Sequence, residues 1–375
     1  AAELIGNMDP DDAADIVGDL PYEKAETLLR LMGVDNAAEI RKLLGYKEDT
    51  AGGLMTTQFV AMHTSDTVQE TTEVLRGLDE DHPTVNYVYV LDEYDKLVGV
   101  LSLRTLVLAK DNTPLSDIMF DELITSLPEE PEDEVAADIS KYDLMAMPVV
   151  DENGQMLGIV TVDDAMDVIE EETTEDFEKM AAMLPSDKPY LKAGVFDTWK
   201  ARLPWLMILM LSATFTGMIL NHYENALAAC IVLNAYIPML SGTGGNSGTQ
   251  ASTAVIRALS LDEVDISDVL RVLWKELRVS ALCGACLACA NFGKMLLVDR
   301  LLLGNSAVTP LVCLVVCLTI FFVVVFAKCV GCSLPLLAEK IGLDPAVMAS
   351  PFISTIVDAT SLLIYFRFAS WLLGI

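Results

Sequence analysis

Hydrophobic positions along this chain follow two different rules. Up to about residue 190 they recur at helical or alternating spacing among dense carboxylates; beyond it they run in long apolar blocks. Residues 3–45 read as short amphipathic helices. Asp9 is placed to cap one of them with Pro10 in its first turn, Leu20-Pro21 restarts a second, and a third runs from about Asp35 to Leu44 before Gly45. Residues 52–170 contain an internal repeat. Val90-Leu91-Asp92-Glu93 with Leu97-Val98-Gly99-Val100-Leu101-Ser102 matches Val149-Val150-Asp151-Glu152 with Met156-Leu157-Gly158-Ile159-Val160-Thr161, offset by 59 residues. Each copy predicts a strand, an acidic turn, a second strand with a central Gly, and then a helix. Asn153-Gly154 suits a hairpin connection, because both tolerate positive φ.

The second copy continues into a helix expected from about Asp163 to Leu184, closed by Pro185. Asp164, Asp167, Glu171, Glu175 and Glu178 share one face of it, with Met166, Ile169, Phe177, Met180 and Leu184 on another. Like charges one turn apart destabilise a helix by roughly 0.2–0.5 kcal/mol per pair. The ridge is either a solvated face or one that a cation neutralises. Beyond it lie five candidate membrane spans, about 203–222, 226–256, 272–298, 307–333 and 346–374, each near the ~20 apolar residues that cross a bilayer.

Composition sharpens the division. A net charge of -31 suits a very soluble protein, whereas 53% hydrophobic residues and a mean hydropathy of +0.42 suit a membrane protein. Residues 1–190 hold 44 Asp and Glu against 12 Lys and Arg, a net of -32; residues 191–375 hold 11 against 12, a net of +1. The fold class expected is therefore mainly α, with five transmembrane helices, an α/β tandem pair and a small helical N-terminal domain. The boundaries fall at 1–50, 51–162, 163–190 for the connecting helix, and 191–375 for the membrane domain. So acidic a soluble half does not suit nucleic acid. All eight cysteines lie in the apolar half and read as small residues packed between helices; with three scattered histidines they suggest no zinc site. The chain starts Ala1-Ala2-Glu3 within a helical repeat, without initiator methionine or signal peptide, which reads as a truncated N-terminal domain.

Basic residues orient the spans. Lys192, Lys200 and Arg202 precede the first; Arg257, Arg271, Lys275 and Arg278 flank the second connection, and Lys328 and Lys340 the fourth. The positive-inside rule places the soluble half in the cytoplasm of a plasma-membrane protein and the C-terminus outside, with Lys294 and Arg300 dissenting.

Two features carry chemistry. Asp358 lies near the middle of the fifth span, where a carboxylate costs roughly 2.5–3.5 kcal/mol to insert. Ser350, Ser354, Asp358, Ser361 and Tyr365 form a polar stripe at helical spacing, so Asp358 faces either an ion path or a structural partner. In the second span, Pro238 and Gly242-Thr243-Gly244-Gly245-Asn246-Ser247-Gly248-Thr249-Gln250 predict a break that frees carbonyls toward a cavity, or else close helix packing. Beyond the glycines Asn246, Gln250, Thr253 and Arg257 share a face. Oxygen-rich, sulfur-free lining suits a hard cation such as Mg²⁺ or Ca²⁺.

The order of helical domain, paired repeats, acidic helix and five spans resembles the MgtE family of magnesium channels. The repeats resemble tandem CBS domains, with Gly53-Leu54-Met55-Thr56 at the start of the first. Pro238 to Gln250 is similar to the second membrane helix of that family, and Leu343-Asp344-Pro345-Ala346, Ser350-Pro351 and Thr355-Ile356-Val357-Asp358 to the fifth. The resemblance implies a homodimer in the lipid bilayer with a pore on its two-fold axis, hydrated Mg²⁺ held by Asp358 and the Ser354 carbonyl, and Asn246, Gln250 and Ser350 along the pore. Ser350 stands where many members carry Asn. It further implies Mg²⁺-dependent closure through Asp164, Glu172, Glu175 and Asp176, with Asp133 and Asp143 in the second repeat and Asp344 before the fifth span. ATP is also implied by some relatives: Thr161-Val162-Asp163-Asp164 has a ribose-holding Thr-x-x-Asp pattern, and Arg104 could meet phosphate. Without a P-loop, an activated nucleophile or a hydride-cofactor fingerprint, the expectation is a gated channel and no enzyme. The rivals are a coupled secondary carrier for divalent cations, with Asp358 cycling a proton, and a membrane-tethered sensor that transports nothing.

Overall fold

The computed structural model describes residues 2–6, 8–78, 85–186, 188–261, 263–348 and 350–374, without the side chains of 3, 34, 35 and 350. The chain divides into two compact units, Ala1–Glu172 and Thr173–Ile375.

The first unit opens with α1 (Ala2–Ile5), α2 (Pro10–Gly18), α3 (Tyr22–Leu31) and α4 (Val34–Leu43). Ala13, Val17, Leu29, Ile40 and Leu43 are buried between them. Pro10 begins α2 as its fixed φ favours. Asp9 stands at the cap position, but its side chain makes no capping bond, contrary to expectation.

The repeats follow as α5 (Ala51–Leu54), β1 (Ala61–His63), α6 (Val68–Arg76), β2 (Tyr87–Leu91), β3 (Leu97–Ser102) and α7 (Leu103–Leu108), then α8 (Glu132–Lys141), β4 (Ala146–Val150), β5 (Met156–Thr161) and α9 (Val162–Met180). Strands β2 and β3 pair antiparallel, as do β4 and β5, and the register slips at equivalent places, between Val90 and Leu91 and between Val149 and Val150. The turns are equivalent too. Asp92 Oδ1 accepts the Tyr94 and Lys96 N–H groups, and Asp151 Oδ1 those of Asn153 and Gln155. Asp95 and Gly154 take the positive φ that closes each turn, +59° and +82°. The two turns also pair with each other, through the Leu97 N–H to the Gly154 carbonyl.

In the second unit the end of α9 is followed by α10 (Val195–His222), α11 (Glu224–Ala229), α12 (Ile237–Ser260), α13 (Val269–Lys294), α14 (Pro310–Lys340) and α15 (Ser350–Leu373). Among the described residues four segments are long and apolar enough to cross a membrane: α10, Ile266–Leu302 (α13 with its wider π-type extension), α14, and Pro345–Leu373 around α15. The remaining expected span, the second, is represented by α12, which is too rich in Gly, Ser and Thr to qualify by hydropathy but packs against both α14 and α15.

Several expectations need correcting. α9 ends at Met180, four residues before Leu184, because Ala182 adopts φ +55° and leaves the helix. The second span is not one helix broken at its glycines. Its break comes earlier, at Cys230 and a 3₁₀ turn over Ile231–Tyr236, and α12 then runs unbroken through the glycines from a Pro238 that sits in its first turn. Of the two readings of those glycines, close packing is the one realised. A Cβ on Gly244 would lie 2.6 Å from Val357 Cγ1 and 2.7 Å from Val323 Cγ1; one on Gly248 would lie 2.5 Å from Ile353 Cγ2; one on Gly331 of α14 would strike the Gly248 carbonyl. Lys328 does not flank a loop either. It is buried within α14, its Nζ 3.9 Å from Glu276 of α13. Lys294 likewise bonds Asp299 at 2.8 Å, and Tyr236 donates to the same carboxylate oxygen at 2.9 Å.

The crowding predicts a contrast between two Gly→Ala changes. Gly331→Ala should cost about 1–3 kcal/mol through overpacking. Gly217→Ala, with nothing within 4 Å, should be neutral or stabilising by up to about 1 kcal/mol. Detergent-titrated unfolding of the purified protein measures both.

Candidate cation site

Glycines bring α12 and α15 together in a regular antiparallel seam. Ser241 lies within hydrogen-bonding reach of the Asp358 carboxylate, Gly244 meets Val357, Gly245 faces Ser354 (an added Cβ would lie 3.4 Å from its Oγ), and Gly248 meets Ile353. Asp358 and Ser354 are therefore one turn apart on the face of α15 that looks at α12. Asp358 is half-buried. Asn246 and Gln250 are exposed on α12, as are Gly242, Thr253 and Arg257, so the polar face expected beyond the glycines is free of the bundle interior. The lower part of the α15 stripe is not. Ser361 is buried, its hydroxyl on the Asp358 carbonyl at 2.9 Å, and Tyr365 is buried with its hydroxyl on the Leu233 carbonyl at 3.0 Å. The side chain of Ser350 lies outside the described residues.

A second group of carboxylates gathers at the end of α9. Lys179 Nζ bonds Glu175 at 2.9 Å and Asp344 at 2.5 Å, and the Asp344 second oxygen accepts the Ala346 N–H at 2.7 Å. Asp176 accepts from the Ser260 hydroxyl at 3.3 Å. Burial, and then the charge of Asp344, hold Asp176 above its ordinary pKa.

The first unit contributes two more acidic groups. Asp11 is pushed up to about 6, first by burial and then by Asp164 and Asp12; Asp15 is raised by burial, Asp12 and Glu48. Asp164 itself is raised by burial, although the Thr161 hydroxyl bonds it and acts in the opposite sense. Glu132, in the first turn of α8, is pushed up to about 7 by burial and by Asp49, Glu171, Glu172 and Asp133. Asp133 and Glu172 are exposed, and so is Asp143, which sits at φ +54°. Arg104 is exposed on the first turn of α7, in the other repeat from Thr161. Among the described residues no three His, Cys, Asp or Glu side chains converge into a cage for a bare ion.

Comparison with known proteins agrees with this layout. A family described as divalent cation transporter, MgtE, matches residues 237–368; the MgtE intracellular N domain matches 1–49, and CBS domains match 51–112 and 115–171. The magnesium transporter MgtE of Thermus thermophilus is 40% identical over 97% of this chain and 79% of its own length. That of Bacillus subtilis is 35% identical over 99% and 80%. This chain belongs to the MgtE family. A crystal structure of the soluble part of a magnesium transporter is 38% identical, covering 46% of this chain and 67% of its own, with a TM-score of 0.44. A cytosolic domain of the Mg²⁺ channel MgtE in complex with ATP is 38% identical over 44% and 68%, with a TM-score of 0.43.

Within this MgtE chain, sequence reasoning singled out Asp358 and Asp164 but missed their neighbours. Ser241, just before the glycine run, was not singled out. Asp11, Asp15 and Glu132 were not singled out, since only the fold brings them to Asp164 and Glu172. Lys179 breaks the acidic ridge of α9 and was the one signal available for the Asp344 contact.

Raised carboxylates fix a direction of pH dependence. A folded-state pKa above the unfolded value makes ionisation unfavourable to the fold, so stability is highest at low pH and declines as pH rises through the window. For Asp11 and Glu132 that window runs from the ordinary carboxylate range up to about 6 and about 7. In metal-free buffer the first unit should therefore melt at a lower temperature at pH 8 than at pH 5. Millimolar Mg²⁺ at pH 8 should recover most of the difference. A domain-resolved melt of the whole protein, followed by hydrogen exchange, reads this directly.

Proposed function

We propose that this protein carries Mg²⁺ across the plasma membrane as a channel closed by cytoplasmic Mg²⁺. The observation that carries the reading is the Asp358 carboxylate at mid-helix on α15, facing Ser241 and Ser354 across a glycine-lined seam. A lone half-buried carboxylate there is costly unless a cation or water shares its site. Membership of a divalent cation transporter family, with relatives named magnesium transporters, supports Mg²⁺ as the cargo.

The exposed polar face of α12, with Asn246 and Gln250, has no place against lipid. A second copy of the chain would cover it and present a second Asp358, giving -2 for a hydrated divalent ion. In this homodimer Ser354 contributes its carbonyl and Ser350 lies along the path. Asp344, Glu172, Glu175, Asp176, Asp164, Asp133 and Asp143 form the sensing carboxylates, now joined by Asp11 and Glu132. The ion closes the channel by binding the closed form better than the open one. The acidic half faces the cytoplasm and the C-terminus faces outside. ATP enters as a modulator through Thr161, Asp164 and Arg104. The Thr161 hydroxyl is bonded to Asp164, so a ribose would compete with that contact.

Asp358→Ala should abolish Mg²⁺ uptake in a transport-deficient strain while the purified protein keeps its melting temperature and oligomeric size. Normal uptake would end the ion-path assignment. Removing charge from the sensing group, as Glu172→Gln, Glu175→Gln and Asp176→Asn together, should raise the Mg²⁺ concentration for half-inhibition at least threefold in patch recordings. Unitary currents in those recordings separate a channel from a coupled carrier.

A further inference from the structure

Lys179 puts a cation of the protein's own among the carboxylates assigned above to the regulatory ion. Its Nζ lies 2.9 Å from Glu175 on the same helix and 2.5 Å from Asp344 on the segment leading into α15. The first contact alone is an ordinary i,i+4 pair, of little weight by itself. The second makes the lysine a tertiary link. Asp344 is held ready for it by the Ala346 N–H, and the lysine side chain is only 20% exposed. The same turn of α9 is fastened at two further points. Asp176 accepts from Ser260 at the end of α12, and Met180 packs against Ile256 and Ala346.

The charges close on a simple sum. Glu175, Asp176 and Asp344 carry -3, and Lys179 returns +1, leaving the charge that one divalent cation neutralises. We propose that Lys179 is a built-in counter-ion that latches the end of α9 to Asp344 without metal, and sets the regulatory site there to take a single divalent ion. The latch rests on the proposed closure by Mg²⁺ at the α9 carboxylates, in which α9 restrains the ion path, and deepens it: closure has a metal-independent part, supplied by the lysine, and a metal-dependent part supplied by Mg²⁺. Removing the ammonium weakens the first part and enlarges the second, because the vacated carboxylates attract the metal more strongly.

The experiment uses the full chain in lipid, with Lys179→Gln, Lys179→Arg and the exchanged pair Lys179→Asp/Asp344→Lys. Hydrogen exchange over residues 173–186 in metal-free buffer reports the latch, and patch recordings across cytoplasmic Mg²⁺ report gating. Lys179→Gln should speed exchange there about tenfold and raise the open fraction in zero Mg²⁺ severalfold, with a steeper decline as Mg²⁺ is added. Lys179→Arg should restore both values. The exchanged pair should regain slow exchange and a low open fraction in zero Mg²⁺. Unchanged exchange in Lys179→Gln, or an exchanged pair that stays unlatched, overturns the proposal. Faster exchange with unaltered currents upholds the latch and instead overturns the reading that α9 restrains the path.

Discussion

The membrane unit depends on how closely the backbones of α12, α14 and α15 approach. Gly248 and Gly331 touch backbone to backbone, and Gly244 receives Val323 and Val357 side chains where a methyl would otherwise stand. Among lipid tails no hydrophobic driving force favours one helix over another, so dispersion at such contacts decides which helices associate. The contact also sets register. With Gly244 against Val357 and Gly248 against Ile353, Ser241 and Gly245 are left opposite Asp358 and Ser354. One residue of slip along the seam would turn the carboxylate away from Ser241. The glycines thus serve the chemistry by fixing where Asp358 points, rather than by opening the backbone of α12 to an ion.

A second constraint is electrostatic. The membrane half is close to neutral as a whole, and the two charged residues buried in it among the described residues each face an opposite charge: Lys328 faces Glu276, and Asp299 faces Lys294 and accepts from Tyr236. Burying a pair is tolerable where each charge finds its partner. The soluble half has no such balance: burial first, and neighbouring carboxylates after it, push Asp11 up to about 6 and Glu132 up to about 7. Crowding of this kind is a store of free energy that any small, highly charged cation releases on arrival. In the function proposed above, this crowding is what makes the acidic face responsive to the ion.

Periodicity and repetition made much of this visible in advance. The 59-residue offset between repeats carried through to matched turns at Asp92 and Asp151 and matched register slips. Asp358 declared itself by being a carboxylate where the surrounding residues are apolar. What did not show were properties set by partners distant in sequence. Lys328 looked like a flanking charge because Glu276, 52 positions earlier, is visible as its neighbour only once α13 and α14 pack. The helix break was misplaced for a related reason. Glycine lowers helix propensity, but tertiary packing overrides it in α12, whereas the irregular stretch before Ile237 has an unremarkable composition.

The two kinds of acidic site ask opposite things of the same ion. A conduction site must bind weakly enough to release, and a single carboxylate per chain with neutral hydroxyl neighbours supplies little more than charge and shape. A sensing site must discriminate between two arrangements of the protein, so its affinity has to depend on geometry. That dependence needs carboxylates drawn from different segments, as Asp344 and Glu175 are, or Asp11 and Asp164, because only then does separating the segments dismantle the site. A tethered ammonium at one such junction limits how much of the closed state the metal alone must supply. Without it the carboxylates would repel at low Mg²⁺ with their full charge, and closure would follow the metal alone. With it, the range over which the ion acts is set by the protein.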